Sequence, residues 1–132
     1  MKVFVYGTLK PGEQNYPAYC EGKAIAVQPA YTYGKLYHLC LGYPGMTVGT
    51  EKVQGYLLTF ADESNLVELD ELETFDPQGL PENNEYQREM IPIYDLEDRY
   101  LGQAWGYLMD LEKIKTFQGV FIPSGWWQGI RD

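Results

Sequence analysis

One carboxylate and one loop hold most of the reactive potential of this sequence. The segment "ADESNLVELDELETF" (61–75) reads as a helix, with Leu66, Leu69 and Leu72 recurring at helical spacing. At about 100° per residue, with Leu66 at zero, the leucine stripe centres at about 300°. Glu68 and Glu71 fall at about 200° and 140°, on the wet side, and Asp70 at about 40°, on the stripe's margin. Glu73 lands at about 340°, close to the stripe's centre. One carboxylate of an acidic helix is therefore aimed inward. Burial raises a carboxyl's pKa toward neutrality, which suits a group that takes and returns a proton near pH 7. The competing reading is a helix-end Glu73 that reaches out to solvent or pairs with Arg88. Asp62 or Ser64 can cap the helix, and acidic residues crowd its start, where they meet the positive end of the dipole.

The loop is "VFVYGTLKPG" (3–12), in which a strand-forming run meets Gly-Thr-Leu-Lys-Pro-Gly. Gly7 permits close approach of the backbone, Thr8 brings a hydroxyl donor, and Pro11-Gly12 turns the chain. Such a loop suits holding a small molecule. Its plainer reading is an ordinary strand-to-helix connection.

Other chemistry is sparse. His38 is the single histidine and lies in a strand-like run, "GKLYHLC". Cys20 and Cys40 fit no metal-ligand spacing and read as reduced and structural. The net charge is −9, and residues 61–100 carry 13 carboxylates against two arginines. That balance argues against binding nucleic acid through phosphates. No apolar run reaches the roughly 18–20 residues of a membrane span. The start "MKVFVYG" lacks the apolar stretch of a signal peptide, so the expected location is cytoplasmic.

These groups need a scaffold. "KVFVY" (2–6) reads as a central strand covered on both faces. Strands follow at "KAIAVQ" (23–28), "YTYGKLYHL" (31–39), "VQGYLLTF" (53–60), "YQREMIPIYD" (86–95) and "LGQAWGYLM" (101–109). Pro92 demotes part of its strand to an edge or a bulge. "LGYPGM" and "FDPQGLPENN" read as loops, and a second short helix fits "NYPAYCEG" (15–22). The expected fold is α+β, one domain over residues 1–132. It is a small mixed, mostly antiparallel β-barrel of about six strands with one or two helices, since curling hides the edges of so many strands.

"VYGTLKPG", "LDELE" and "YQR", in that order, resemble the γ-glutamylcyclotransferase-like proteins, and within them the γ-glutamylamine cyclotransferase and AIG2-like branch. "GKLYHLCLGYPGM", "VQGYLLTF", "AWGYLM" and "IPSGWW" extend the resemblance over nearly the whole chain. It implies a barrel-like sheet with a helix bearing a catalytic glutamate, which falls on Glu73. It also implies a substrate-binding loop at Tyr6, Gly7, Thr8 and Leu9, and a pocket lined by Tyr86 and Tyr107. Arg88 shares a strand face with Tyr86 and steadies either Glu73 or the strand. Trp105, Trp126 and Trp127 read as packing residues. Two departures stand out: Thr74 replaces the glycine common after the family's glutamate, and the tail reads Gly-Trp-Trp where Gly-Asp-Trp is usual.

The implied reaction is closure of a γ-glutamyl amide or amine conjugate to 5-oxoproline, with release of the free amine. It requires no metal, no cofactor and no enzyme nucleophile. Glu73 would move the proton. The backbone N–H groups of residues 7–9 would meet the developing oxyanion or the substrate's α-carboxylate. The expected partner is a small γ-glutamyl substrate, with no nucleic acid or membrane, and a monomer is the default. The alternatives are a non-catalytic ligand-binding barrel, a relative acting on another γ-glutamyl conjugate, as with antibiotic intermediates, and a protein-interaction domain.

Overall fold

The computed structural model describes residues 1–129; the expected single domain also takes in residues 130–132, which lie outside that range. Along the chain run β1 (Lys2–Val5), α1 (Tyr16–Tyr19), β2 (Ala24–His38), β3 (Pro44–Phe60), α2 (Ser64–Leu72), a 3₁₀ turn (Pro81–Asn83), β4 (Gln87–Tyr94), β5 (Tyr100–Leu108), α3 (Leu111–Thr116) and β6 (Val120–Phe121). The strands lie in the order β3-β1-β5-β4-β2-β6, and a further β2–β3 pairing closes the first five into a ring. Pairing is antiparallel except at β1–β5, so the sheet is mixed and mostly antiparallel, as the sequence implies.

Closure depends on the β2–β3 hairpin. Two separate strands were expected over 23–39; one continuous strand is present, because Pro29 fits opposite Tyr56 without ending the ladder. β3 begins at Pro44, inside the expected loop, where a proline is tolerated as a strand's first residue. The register slips between Gly34 and Lys35, whose partners are Glu51 and Thr47. A bulge of this kind bends the hairpin and increases its twist.

The seam from β2 to β4 is thin, with one pairing at Tyr31–Tyr94. The carbonyl of Pro92 accepts from Thr32 Oγ1 at 2.7 Å, so the missing proline N–H faces this same seam. Stacking of Tyr31 on Tyr94, 5.4 Å between ring centres, reinforces it.

β1 is covered on both faces. Val3 and Val5 pack with Leu66 and Leu69 of α2, while Phe4 and Tyr6 pack with residues of β2–β5. Burying Leu66 and Leu69 is worth about 1.5–3 kcal/mol each and fixes α2 against the sheet. The expected helix over 61–75 is shorter, and the described residues form three α-helices in place of the one or two expected. α3 escaped the sequence reading because a single buried residue, Ile114, marks its inner face.

Lys10 of the loop is fully buried. Its Nζ donates to the Trp127 carbonyl and lies 3.4 Å from the Trp126 ring centre. Where Gly-Asp-Trp is usual, this tail meets the lysine with an indole face. Trp127 is buried and donates from Nε1 to His38 Nδ1 at 3.0 Å.

Candidate active site

α2 starts where Asp62 Oδ1 accepts from the Ser64 N–H at 2.8 Å. It ends in a Schellman turn: the Thr74 N–H bonds to the Glu71 carbonyl at 3.2 Å, and the Phe75 N–H to the Asp70 carbonyl at 2.9 Å. Thr74 occupies the left-handed position of that turn, with φ 52°. Glycine is usual there, and a β-branched residue is strained. The turn makes Glu73 the C-cap of the helix, just after Leu72.

Burial, and then the charge of Glu85, push the Glu73 carboxyl from 4.5 up to about 8. The negative end of the α2 dipole acts in the same direction. Among the described residues no hydrogen-bond donor meets this carboxyl.

One turn back, Asp70 is buried where Glu73 is half-buried, and it is fully engaged. It is ion-paired with Arg88 and accepts from the Tyr107 hydroxyl at 2.7 Å. Arg88 lies over the Trp105 ring, 4.5 Å from its centre. Of the two expectations for Arg88, pairing with Glu73 is not what the structure shows: the guanidinium goes to Asp70, the residue at the wheel's margin.

Glu73 opens onto a small cavity of about 30 Å³ at the end of β1, which is also lined by Tyr6, Gly7, Thr8, Leu9, Tyr86 and Tyr107. The sequence-derived site residues other than Arg88 therefore gather around one space. Gly7 is needed for contact: a Cβ there would stand 2.7 Å from Pro44 Cγ. The N–H groups of Gly7, Thr8 and Leu9 have no backbone acceptor among the described residues. Asn15 Nδ2 donates to Thr8 Oγ1 at 2.9 Å, which leaves the threonine proton free to donate in turn.

The phenols are differently placed. Tyr6 donates to the Tyr107 carbonyl, Tyr86 to the Pro44 carbonyl, and Tyr107 to Asp70. All three line the cavity, and their protons hold its walls together. Burial is the first cause that raises each phenol well above its ordinary range.

Tyr43 and Glu85 were not singled out from sequence, because both lie in loops without periodicity. Tyr43 donates to Glu85 Oε1 at 2.8 Å. Both line a second, larger cavity of about 400 Å³, which shares Thr8, Tyr43 and Glu73 with the first. Asn15 lies on the same wall and was also missed. Among the described residues no group of three or more His, Cys, Asp or Glu gathers as a metal site. No described helix is long and apolar enough to cross a membrane.

Comparison with known proteins gives a consistent picture. The family described as gamma-glutamyl cyclotransferase, AIG2-like, matches residues 3–129. The gamma-L-glutamyl-butirosin B gamma-glutamyl cyclotransferase of Niallia circulans is 30% identical over 108 residues, covering 82% of this chain and 67% of that protein. A Vibrio cholerae protein provisionally named gamma-glutamylcyclotransferase is 33% identical over 129 residues, covering 95% of this chain and 93% of its own. Among solved structures, an AIG2-like protein from Mus musculus superposes with a TM-score of 0.68 at 22% identity, covering 99% and 96% of the two chains. The Escherichia coli protein ytfP gives 0.59 at 27% identity, covering 96% of each chain.

Proposed function

The chain belongs to the gamma-glutamyl cyclotransferase, AIG2-like family, and from that premise we propose that it closes a γ-glutamyl amide to 5-oxoproline and frees the amine, as one domain over residues 1–132. The observation that carries this reading is the Glu73 carboxyl: half-buried, unpartnered among the described residues, and facing a cavity rimmed by N–H groups without a backbone acceptor.

The substrate's α-nitrogen attacks its own γ-carbonyl carbon. A new C–N bond closes a five-membered ring and the bond to the departing nitrogen breaks. Ionised Glu73 takes the proton that the attacking nitrogen must lose. It then delivers that proton to the leaving nitrogen, so charge and atoms balance without water. A carboxyl held near pH 8 suits both halves of the transfer. The N–H groups of Gly7, Thr8 and Leu9 receive the oxyanion or the α-carboxylate. Because both reacting groups lie on one molecule, much of the acceleration comes from folding the substrate in a closed space. Tyr6, Tyr86 and Tyr107 give that space its shape, and Arg88 works at a distance by holding Asp70.

The test is direct. The protein is incubated with γ-glutamyl amines, γ-glutamyl amino acids and γ-glutamyl-ε-lysine, and 5-oxoproline is measured. Release from one class supports the reading. A folded protein that releases none is a ligand-binding member of the fold.

A further inference from the structure

The outer cavity has a composition of its own. Glu73 and Glu85 contribute two carboxylates, and Gln14, Asn15, Tyr43 and Thr74 supply neutral polar walls. No Lys, Arg or His is among its lining residues. Glu85 is fixed in place, because its N–H bonds to the Thr74 carbonyl at 3.0 Å and its Oε1 accepts from Tyr43. Its Oε2 has no partner among the described residues. The wall shared with the inner cavity is made of Thr8, Tyr43 and Glu73, so the two spaces meet at the carboxyl proposed to move the proton.

We propose that the outer cavity holds the departing half of the conjugate, and that Glu85 selects leaving amines carrying a second positive charge. This rests on the reaction proposed above. With the glutamyl group in the inner cavity and its γ-carbon beside Glu73, the rest of the molecule passes Tyr43 into the larger outer cavity. A diamine, polyamine or amino sugar brings an ammonium to Oε2 of Glu85. An α-amino acid instead brings a carboxylate, attached to the carbon next to the scissile nitrogen, into a space that already holds two acidic groups. The like charge disfavours it, and no cation in the lining offsets the repulsion.

The experiment uses three conjugates of similar length, γ-glutamyl-1,5-diaminopentane, γ-glutamyl-pentylamine and γ-glutamyl-norleucine. Turnover is measured with the native chain and binding with Glu73→Gln. The diamine conjugate should exceed the neutral one by about ten-fold in kcat/KM and in affinity, with norleucine weakest. Glu85→Gln should reduce the diamine-to-pentylamine ratio to about three or less. Tyr43→Phe, which keeps the Glu85 charge, should retain the ratio. Equal handling of the three conjugates, or a ratio unmoved by Glu85→Gln, overturns the proposal even if 5-oxoproline is released. Charge-selective binding without release from any conjugate upholds the assignment of Glu85 and overturns the reaction instead.

Discussion

Asp70 and Glu73 lie one helical turn apart at the end of α2, the first buried and the second half-buried, yet the fold treats them in opposite ways. Asp70 receives a guanidinium and a phenol hydroxyl. Glu73 receives neither, and its neighbour Glu85 adds like charge. A carboxylate with a full set of partners is a fixed structural anion. One held without partners is poised to change protonation. The difference arises from where the helix stops: Asp70 points at β4 and β5, whereas Glu73, the C-cap, lines the cavity beside the loop after β1.

Glu73→Gln is the strongest way to break this contrast. Turnover should fall by about 10²–10⁴-fold, the usual contribution of a general acid/base. Stability should move the other way. With a folded pKa near 8 and an ordinary value of 4.5, the unfolded chain ionises first, so stability declines as pH rises from about 4.5 to 8. Removing the group should therefore stabilise the protein at pH 7 by up to about 3 kcal/mol, with the gain vanishing near pH 4. Urea unfolding across that range measures it. A variant equally stable at pH 5 and pH 8 relative to native would mean that Glu73 is not sheltered.

Asp70→Asn should act in the opposite sense. It leaves the half-buried Arg88 beside a neutral amide, and removing one partner of a largely buried pair costs about 3 kcal/mol. The same unfolding measurement applies. If both variants destabilise to a similar degree, the two carboxylates have the same role and the contrast fails.

The legibility of these two residues in sequence differs for a physical reason. Glu73 is visible from helical spacing, because its inward direction follows from the leucines on its own helix. The partner of Asp70 is 18 residues away, and nothing local states that Arg88 will reach it. The strands with alternating or continuous apolar runs could be read. The start of β3 could not, because Pro44 and Gly45 carry turn chemistry in sequence and are recruited into the ladder by Met46 and Thr47 pairing with Leu36 and Lys35. Tyr43 and Glu85 converge from loops 42 residues apart, which no periodicity encodes.

Thr74→Gly probes how the helix end aims Glu73. The left-handed conformation costs a residue with a Cβ about 1–2 kcal/mol, and the greater unfolded-state freedom of glycine cancels part of the relief. A net gain of about 0.5–1 kcal/mol in thermal or urea unfolding is expected. A loss would mean that the threonine side chain holds the turn by contacts that outweigh its backbone strain.

The smallest effect concerns the slope of activity with pH. Two causes raise Glu73, burial first and Glu85 second, so they can be separated by removing the charge alone. With a base near pH 8, kcat/KM should climb through neutrality and level off above about pH 8. In Glu85→Gln the midpoint should move to lower pH by a few tenths of a unit, because burial remains and only the like charge is gone. A neutral conjugate such as γ-glutamyl-pentylamine is the right substrate, since it excludes the ion pair that a charged leaving group would make with Glu85. A midpoint that moves upward would place Glu85 among the groups that stabilise ionised Glu73. A midpoint falling to the ordinary range near 4.5 would assign the whole shift to Glu85. Asp70 would then differ from Glu73 in its neighbours alone, with shelter from water no longer part of the distinction.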